Sequence, residues 1–255
     1  MPTAIDQALI LRTWEFSETS QAVSLLCRAR GLMRGLAKGA HRERSKFNGG
    51  LEPLTLGEIV YAAKPTAELV TLTEWDLRTV FKGVRRNLAA HRAGLYIVDL
   101  LHHAILDADP HPNLFDETVA SLHALDDPSS SLAVLLRFQW RLLAETGYRP
   151  RIDLDLAMLR DSATYIFRAA EGGLVQEGTA EGWRVRGETV RALLNLDQPS
   201  SPGNMPHTAN ATERAGRLLS EYLRYVLGRD LPTRTIIYGA SPFATSSAAR
   251  HPNRV

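Results

Sequence analysis

A single cysteine, Cys27, in 255 residues leaves no partner for an intramolecular disulfide and too few thiolates for a cysteine-built zinc site. That usage fits a reducing compartment. Long apolar runs are also missing. The stretch 132–136 is among the longest, far short of the ~20 residues that span a bilayer. The opening residues MPTAIDQALI hold an acidic Asp6 and no basic segment, so they do not read as a secretory signal. A soluble, cytoplasmic chain with no membrane partner is expected. Excess charge of one sign is lacking too: 30 Lys and Arg stand against 28 Asp and Glu, a formal net charge of +2. General attraction to a polyanion is therefore weak, and any nucleic-acid site must come from local segregation of charge.

Catalytic signatures are absent in the same way. Gly31, Gly35 and Gly39 are separated by bulky or basic residues, and no Gly-Lys-Ser/Thr follows, so they do not form a nucleotide fingerprint. No Ser-His-Asp triad is readable. His91, Asp99, His102, His103, Asp107, Asp109 and His111 form the one histidine-rich neighbourhood, but the H-x-x-x-H spacing of a helical zinc pair is missing. Asp99 and His103 lie four apart, on one face of a helix, and pair with each other more readily than they bind metal. Asp153, Asp155 and Asp161 come from one short stretch, whereas two-metal sites gather acids from several elements. No catalytic residue, metal or cofactor is expected, and the chain is read as a non-enzyme. A metal-dependent nuclease or phosphatase on residues 99–111 stays as a competing reading, to be tested by DNA cleavage in Mg²⁺ or Mn²⁺.

What is present suffices for a core: 44% of residues are hydrophobic and 23% charged. The first 80 residues carry short apolar segments at 8–11, 22–26, 32–37, 54–61 and 69–75, with Gly, Pro and Asn between them. Their spacing predicts five strands in a small barrel or sandwich. Trp75, at the end of the fifth, is placed in its core, and core packing is the reading for most of the other tryptophans. Helical periodicity follows over 81–106, 114–125 and 132–146, the last with a Leu135, Phe138, Leu142, Leu143 stripe. A hairpin is expected near 164–175, helices at 188–196 and 209–227, a Ser/Pro-rich loop at 199–206 and a flexible tail at 239–255.

One tract departs from the charge balance. Between residues 28 and 46 stand Arg28, Arg30, Arg34, Lys38, Arg42, Arg44 and Lys46, against Glu43 alone. Arg and Lys there are suited to phosphates, and Phe47, next in sequence, to stacking on a base. The competing reading is an ordinary solvated face. A second candidate is Arg137 and Arg141, flanking Phe138 and Trp140, as a charged and aromatic docking site for a partner peptide.

These stretches resemble the RecO family of bacterial DNA repair proteins. The resemblance is carried by ALILRTWEFSETSQAVSLLCRARGLMRGLAKGAHRERSKFNGGLEPLTLGEIVY, by LVTLTEWDL, and by HPNLFDETVASLHAL with LLRFQWRLLAETGYRP. It implies an α+β chain: an N-terminal OB-fold β-barrel over 1–79, then a mainly α-helical domain over 80–238 with a small β-hairpin insertion in a ribbon-like segment around 150–186. It further implies binding to single- and double-stranded DNA, strand annealing, and work with RecR, and in some members RecF, to place RecA on DNA coated by single-strand binding protein. A nucleoid-associated location goes with that role. In the family the basic barrel residues correspond to positions in the 28–46 tract, and the acidic tail of single-strand binding protein docks in the helical domain, nearest here to Arg137 and Arg141. Many relatives hold zinc with four cysteines in the ribbon. None stands there in this chain, so zinc is not expected and the ribbon must be held by packing. An RNA-binding or general OB-fold adaptor is the alternative, separated by competition between matched RNA and DNA strands.

Overall fold

The computed structural model describes residues 3–62, 69–154, 156–175, 181–197 and 208–240. The expected loop at 199–206, Asp155 and nearly all of the expected tail lie outside the described residues. Two compact units result, Met1–Ser131 and Leu132–Val255.

In the first unit, β1 (Thr3–Ser17), β2 (Ser20–Cys27), β3 (Gly31–Ala37), β4 (Phe47–Asn48), β5 (Thr55–Ala62) and β6 (Val70–Val80) form one sheet in the order β3-β2-β1-β5-β6-β4. Alternation along β5 buries every second side chain, the period of a strand with one face inward. The inner face gathers Ile10, Val23, Leu25, Met33, Phe47, Ile59, Tyr61, Val70, Leu72 and Trp75. Gly57 makes room for the Trp75 indole, since a Cβ there would stand 2.6 Å from its ring and 2.5 Å from the Asp76 carbonyl oxygen. β1 and β2 join through the two-residue turn Glu18-Thr19, and β1 bulges twice, at Leu11 and Phe16. Asp6 fixes the next turn: its carboxylate accepts from the Ala29 and Arg30 backbone N–H groups at 3.1 Å.

The expected OB-fold barrel is corrected by this topology. Pairing runs in one linear order, and β3 meets β6 only through three parallel pairs, Gly35–Val70, Leu36–Thr71 and Ala37–Leu72. β3 ends at Ala37 and the chain turns away at Lys38, so the contact goes no further. The strands make a mixed six-stranded sheet, not a closed five-stranded barrel. The sixth strand, β4, is only two residues long and pairs parallel to β6, a non-local partnership invisible to local pattern.

The expected helix over 81–106 is two helices, α1 (Lys82–Arg86) and α2 (Leu88–Ala104). Asn87 interrupts them and caps the second, its Oδ1 accepting from Ala89 and Ala90 N–H at 2.9 and 3.1 Å. α3 (Pro112–Ala124) begins on a proline at its first turn, where no N–H is needed. After α2, Ala108 N–H donates to the Leu32 carbonyl at 2.8 Å, covering the outer edge of β3.

The second unit opens with α4 (Ser131–Glu145), whose Leu135, Phe138, Leu142 and Leu143 are all buried. The expected hairpin near 164–175 is present as β7 (Thr164–Arg168) and β8 (Gly173–Val175), and β9 (Trp183–Arg186) pairs with β7 to extend it into a three-stranded antiparallel sheet, β8-β7-β9. Then come α5 (Gly187–Leu194), α6 (Ala209–Leu227) and α7 (Pro232–Tyr238). The ribbon-like segment is built on aromatic packing: Phe167 stacks on Trp183 with centroids 5.7 Å apart and meets Tyr222 edge-on at 5.3 Å. Arg191 adds polar ties to Asp161 at 2.7 Å and to the Leu159 carbonyl at 2.8 Å, so packing is not alone there.

Candidate nucleic-acid interface

The basic tract begins in the β2–β3 turn, crosses β3 and fills the loop into β4. In the structure its seven cations divide. Arg28 makes a two-pronged contact with Asp116 of α3, Nε to Oδ1 at 2.9 Å and the terminal nitrogen to Oδ2 at 2.8 Å. That bond holds the Asp116 carboxyl below the ordinary carboxylate range. Arg30 lies over the Tyr61 ring, 5.5 Å from its centroid. Arg34 stands 3.9 Å from Asp107, and Lys46 is 2.7 Å from Glu74. Lys38, Arg42 and Arg44 are exposed, and their side chains have no ionic partner among the described residues.

The loop that presents these three is built from tight turns. Arg42 N–H donates to the Gly39 carbonyl at 3.1 Å and Ser45 N–H to the Arg42 carbonyl at 3.0 Å. Gly39 takes φ +73°, and the aliphatic stem of Arg42 lies against it. The loop is fastened to the β1–β2 turn: His41 N–H donates to the Thr19 carbonyl at 3.2 Å, and His41 Nε2 is 3.2 Å from Glu15. Three cations in seven residues, without an ionic partner among the described residues, are thus held on ordered backbone, suited to contacting successive phosphates and carrying no base-edge code.

Phe47 is a correction. Pairing of Phe47 with Trp75 across the β4–β6 register turns its ring into the core, where it is 6% exposed and cannot stack on a base. Trp14 departs from the core expectation in the other direction and is 44% exposed. Sequence reading also missed a polar row on the outer sheet face, where Arg12, Ser24 and Arg34 stand opposite one another on β1, β2 and β3. Arg12 binds the buried Asp99 carboxylate of α2, Ser24 is 3.0 Å from His102 Nδ1, and His103 is 3.6 Å from Asp99. The i, i+4 spacing of Asp99 and His103 was the one signal for this row. Asp99 is therefore engaged by a guanidinium, and no group of three or more His, Cys, Asp or Glu suited to a metal occurs among the described residues.

In the second unit, Arg137 and Arg141 are exposed one helical turn apart on α4, but the aromatic half of that expected docking site is corrected. Phe138 is fully buried, and Trp140 is 2% exposed with its Nε1–H donated to Asp197 at 3.0 Å. Arg149 lies 5.0 Å over the Trp140 ring and pairs with the same Asp197.

Family models match in two adjoining pieces. The model for the recombination protein O N terminal covers residues 1–81, and that for the recombination protein O C terminal covers 85–235. The DNA repair protein RecO of Rhodopirellula baltica is 37% identical over 174 residues, 67% of this chain and 64% of the relative. That of Anaeromyxobacter dehalogenans (strain 2CP-C) is 30% identical over 245 residues, 92% of this chain and 95% of the relative. That of Laribacter hongkongensis is 32% identical over 240 residues, covering 91% and 92%. By matches that run nearly its whole length, the chain belongs to the recombination protein O family.

Proposed function

We propose that this chain is a non-enzymatic, DNA-binding mediator of recombinational repair. It binds single- and double-stranded DNA, anneals complementary strands, and works with RecR to place RecA on DNA covered by single-strand binding protein, in the cytoplasm at the nucleoid. Family membership supports the reading, as do relatives named as DNA repair proteins. The observation that carries the DNA contact is the set of three exposed cations, Lys38, Arg42 and Arg44, which have no ionic partner among the described residues. Exposed ion pairs are worth little, so Arg28, Arg34 and Lys46 can exchange their carboxylates for phosphates, but these three need give up no partner among the described residues. Annealing is helped when such cations offset the repulsion between two backbones. Arg137 and Arg141, on the surface of α4, are assigned to the acidic tail of single-strand binding protein.

The test is anisotropy of a labelled single strand at two salt concentrations, with strand annealing measured in parallel. Replacing Lys38, Arg42 and Arg44 together with alanine should lower the salt slope by about 2, at roughly 0.7 per lost phosphate contact, and slow annealing. A folded triple variant with unchanged affinity and slope would sink the assignment.

A further inference from the structure

Of the four tryptophans, Trp75 and Trp140 are buried and Trp183 is half-buried, whereas Trp14 leaves 44% of its surface in water. Phe16, two residues on at the bulge that ends β1, is 60% exposed. A large aromatic ring held on a strand in water forgoes much of its burial free energy. The indole is nevertheless positioned. In the register it faces Ala22 on β2, a side chain too small to cover its flank, and Leu36 follows on β3. On the helix side the His102 ring props it, with centroids 6.1 Å apart and planes at 52°. His102 is in turn held by Ser24 at 3.0 Å.

The loop carrying Lys38, Arg42 and Arg44 is fastened to this same end of the sheet. Gly39 N–H donates to Ser20 Oγ at 3.4 Å, and His41 reaches both Thr19 and Glu15, the residue after Trp14. Exposed aromatic residues and a loop of cations with no ionic partner among the described residues thus share one end of the sheet. That combination suits a ligand with both flat apolar rings and a polyanionic backbone, which is a nucleic-acid strand with unpaired bases. Duplex DNA offers only its backbone here, since its bases are stacked on one another.

We propose that Trp14, with the exposed Phe16 two residues on in sequence, is a base-stacking platform of this interface, making its ligand single-stranded DNA engaged through bases as well as phosphates. This rests on the DNA-binding reading above and adds to it a preference that cations alone cannot supply. The probes are a labelled oligo-dT and an abasic oligomer of equal length, titrated against the full chain at low salt. Wild type should bind oligo-dT about tenfold more tightly than the abasic strand, within the roughly 5- to 150-fold that one base–aromatic stack contributes. Trp14→Ala should bind both strands alike at the wild-type abasic level with its salt slope unchanged, and Trp14→Phe should keep most of the preference. Equal wild-type affinity for the two strands overturns the stacking proposal and leaves the cation reading standing. Full retention of the oligo-dT preference in a folded Trp14→Ala variant also overturns it. Failure of wild type to bind either strand overturns the DNA-binding reading as well.

Discussion

The His102 imidazole sits half-buried between Ser24 and Trp14, where burial, and then the nearby Arg12 guanidinium, push its pKa down from an ordinary 6.5 to about 4. Unfolded, the ring takes up a proton near pH 6.5; folded, it does so only near pH 4. Between those values the unfolded chain binds more protons, so stability falls as the pH drops through this window and levels off below it. His102→Gln should flatten that part of the acid limb. Urea midpoints of the variant and wild type at about pH 7.5, 5.5 and 4 check it, and parallel profiles would contradict the assignment. Cys27 behaves as a plain core residue: burial pushes its thiol well above the ordinary range, which keeps it protonated and unreactive. Phe47 and Trp14 show what single positions hide. Both are aromatic residues near cations in sequence, but a parallel pairing turns one inward, and a small cross-strand neighbour leaves the other open.

At the scale of elements, α6 was legible to the residue. Its apolar period is regular, Thr208 caps it with Oγ1 accepting from Ala211 N–H at 3.2 Å, and Gly228 ends it at φ +64°. These signals are local. α7 was not legible, because its seven residues depend on partners elsewhere in the second unit. Arg234 reaches the buried Glu221 of α6 at 2.6 Å and Asp230 at 2.7 Å, and Tyr238 hydroxyl donates to Gln139 of α4 at 3.3 Å. Arg234→Met should destabilise the protein by about 3 kcal/mol, since Glu221 is left as a buried carboxylate with Arg224 at 3.0 Å as its remaining ionic partner among the described residues. Adding Glu221→Leu should recover part of the loss, so that the double change costs less than the sum of the singles in chemical denaturation. The short strands β4 and β9 were hard to read for the same reason. Too few residues lie in each for a period to emerge, and their identity rests on pairing.

For the molecule as a whole, the first unit has its own sheet core and its own helices, and it contains all seven cations of the basic tract together with Trp14. A fragment of residues 1–131 should therefore fold, and it should bind single-stranded DNA with the salt dependence of the full chain. Far-ultraviolet dichroism and anisotropy would check this, and a fragment that folds but does not bind would place essential contacts beyond residue 131. By itself the sequence determined the class of secondary structure along most of the chain, the segregated basic tract, the want of ribbon cysteines and the family. Those are properties of composition, local period and motif order, which each stretch carries within itself. Tertiary structure alone decided that the strands form a mixed sheet rather than a barrel, that Phe47 turns inward while Trp14 stands exposed, and which three of seven cations lack a carboxylate among the described residues. Each of those depends on which distant residue comes alongside, and pairing across a sheet is set by the fit of whole faces, not by the sequence next door.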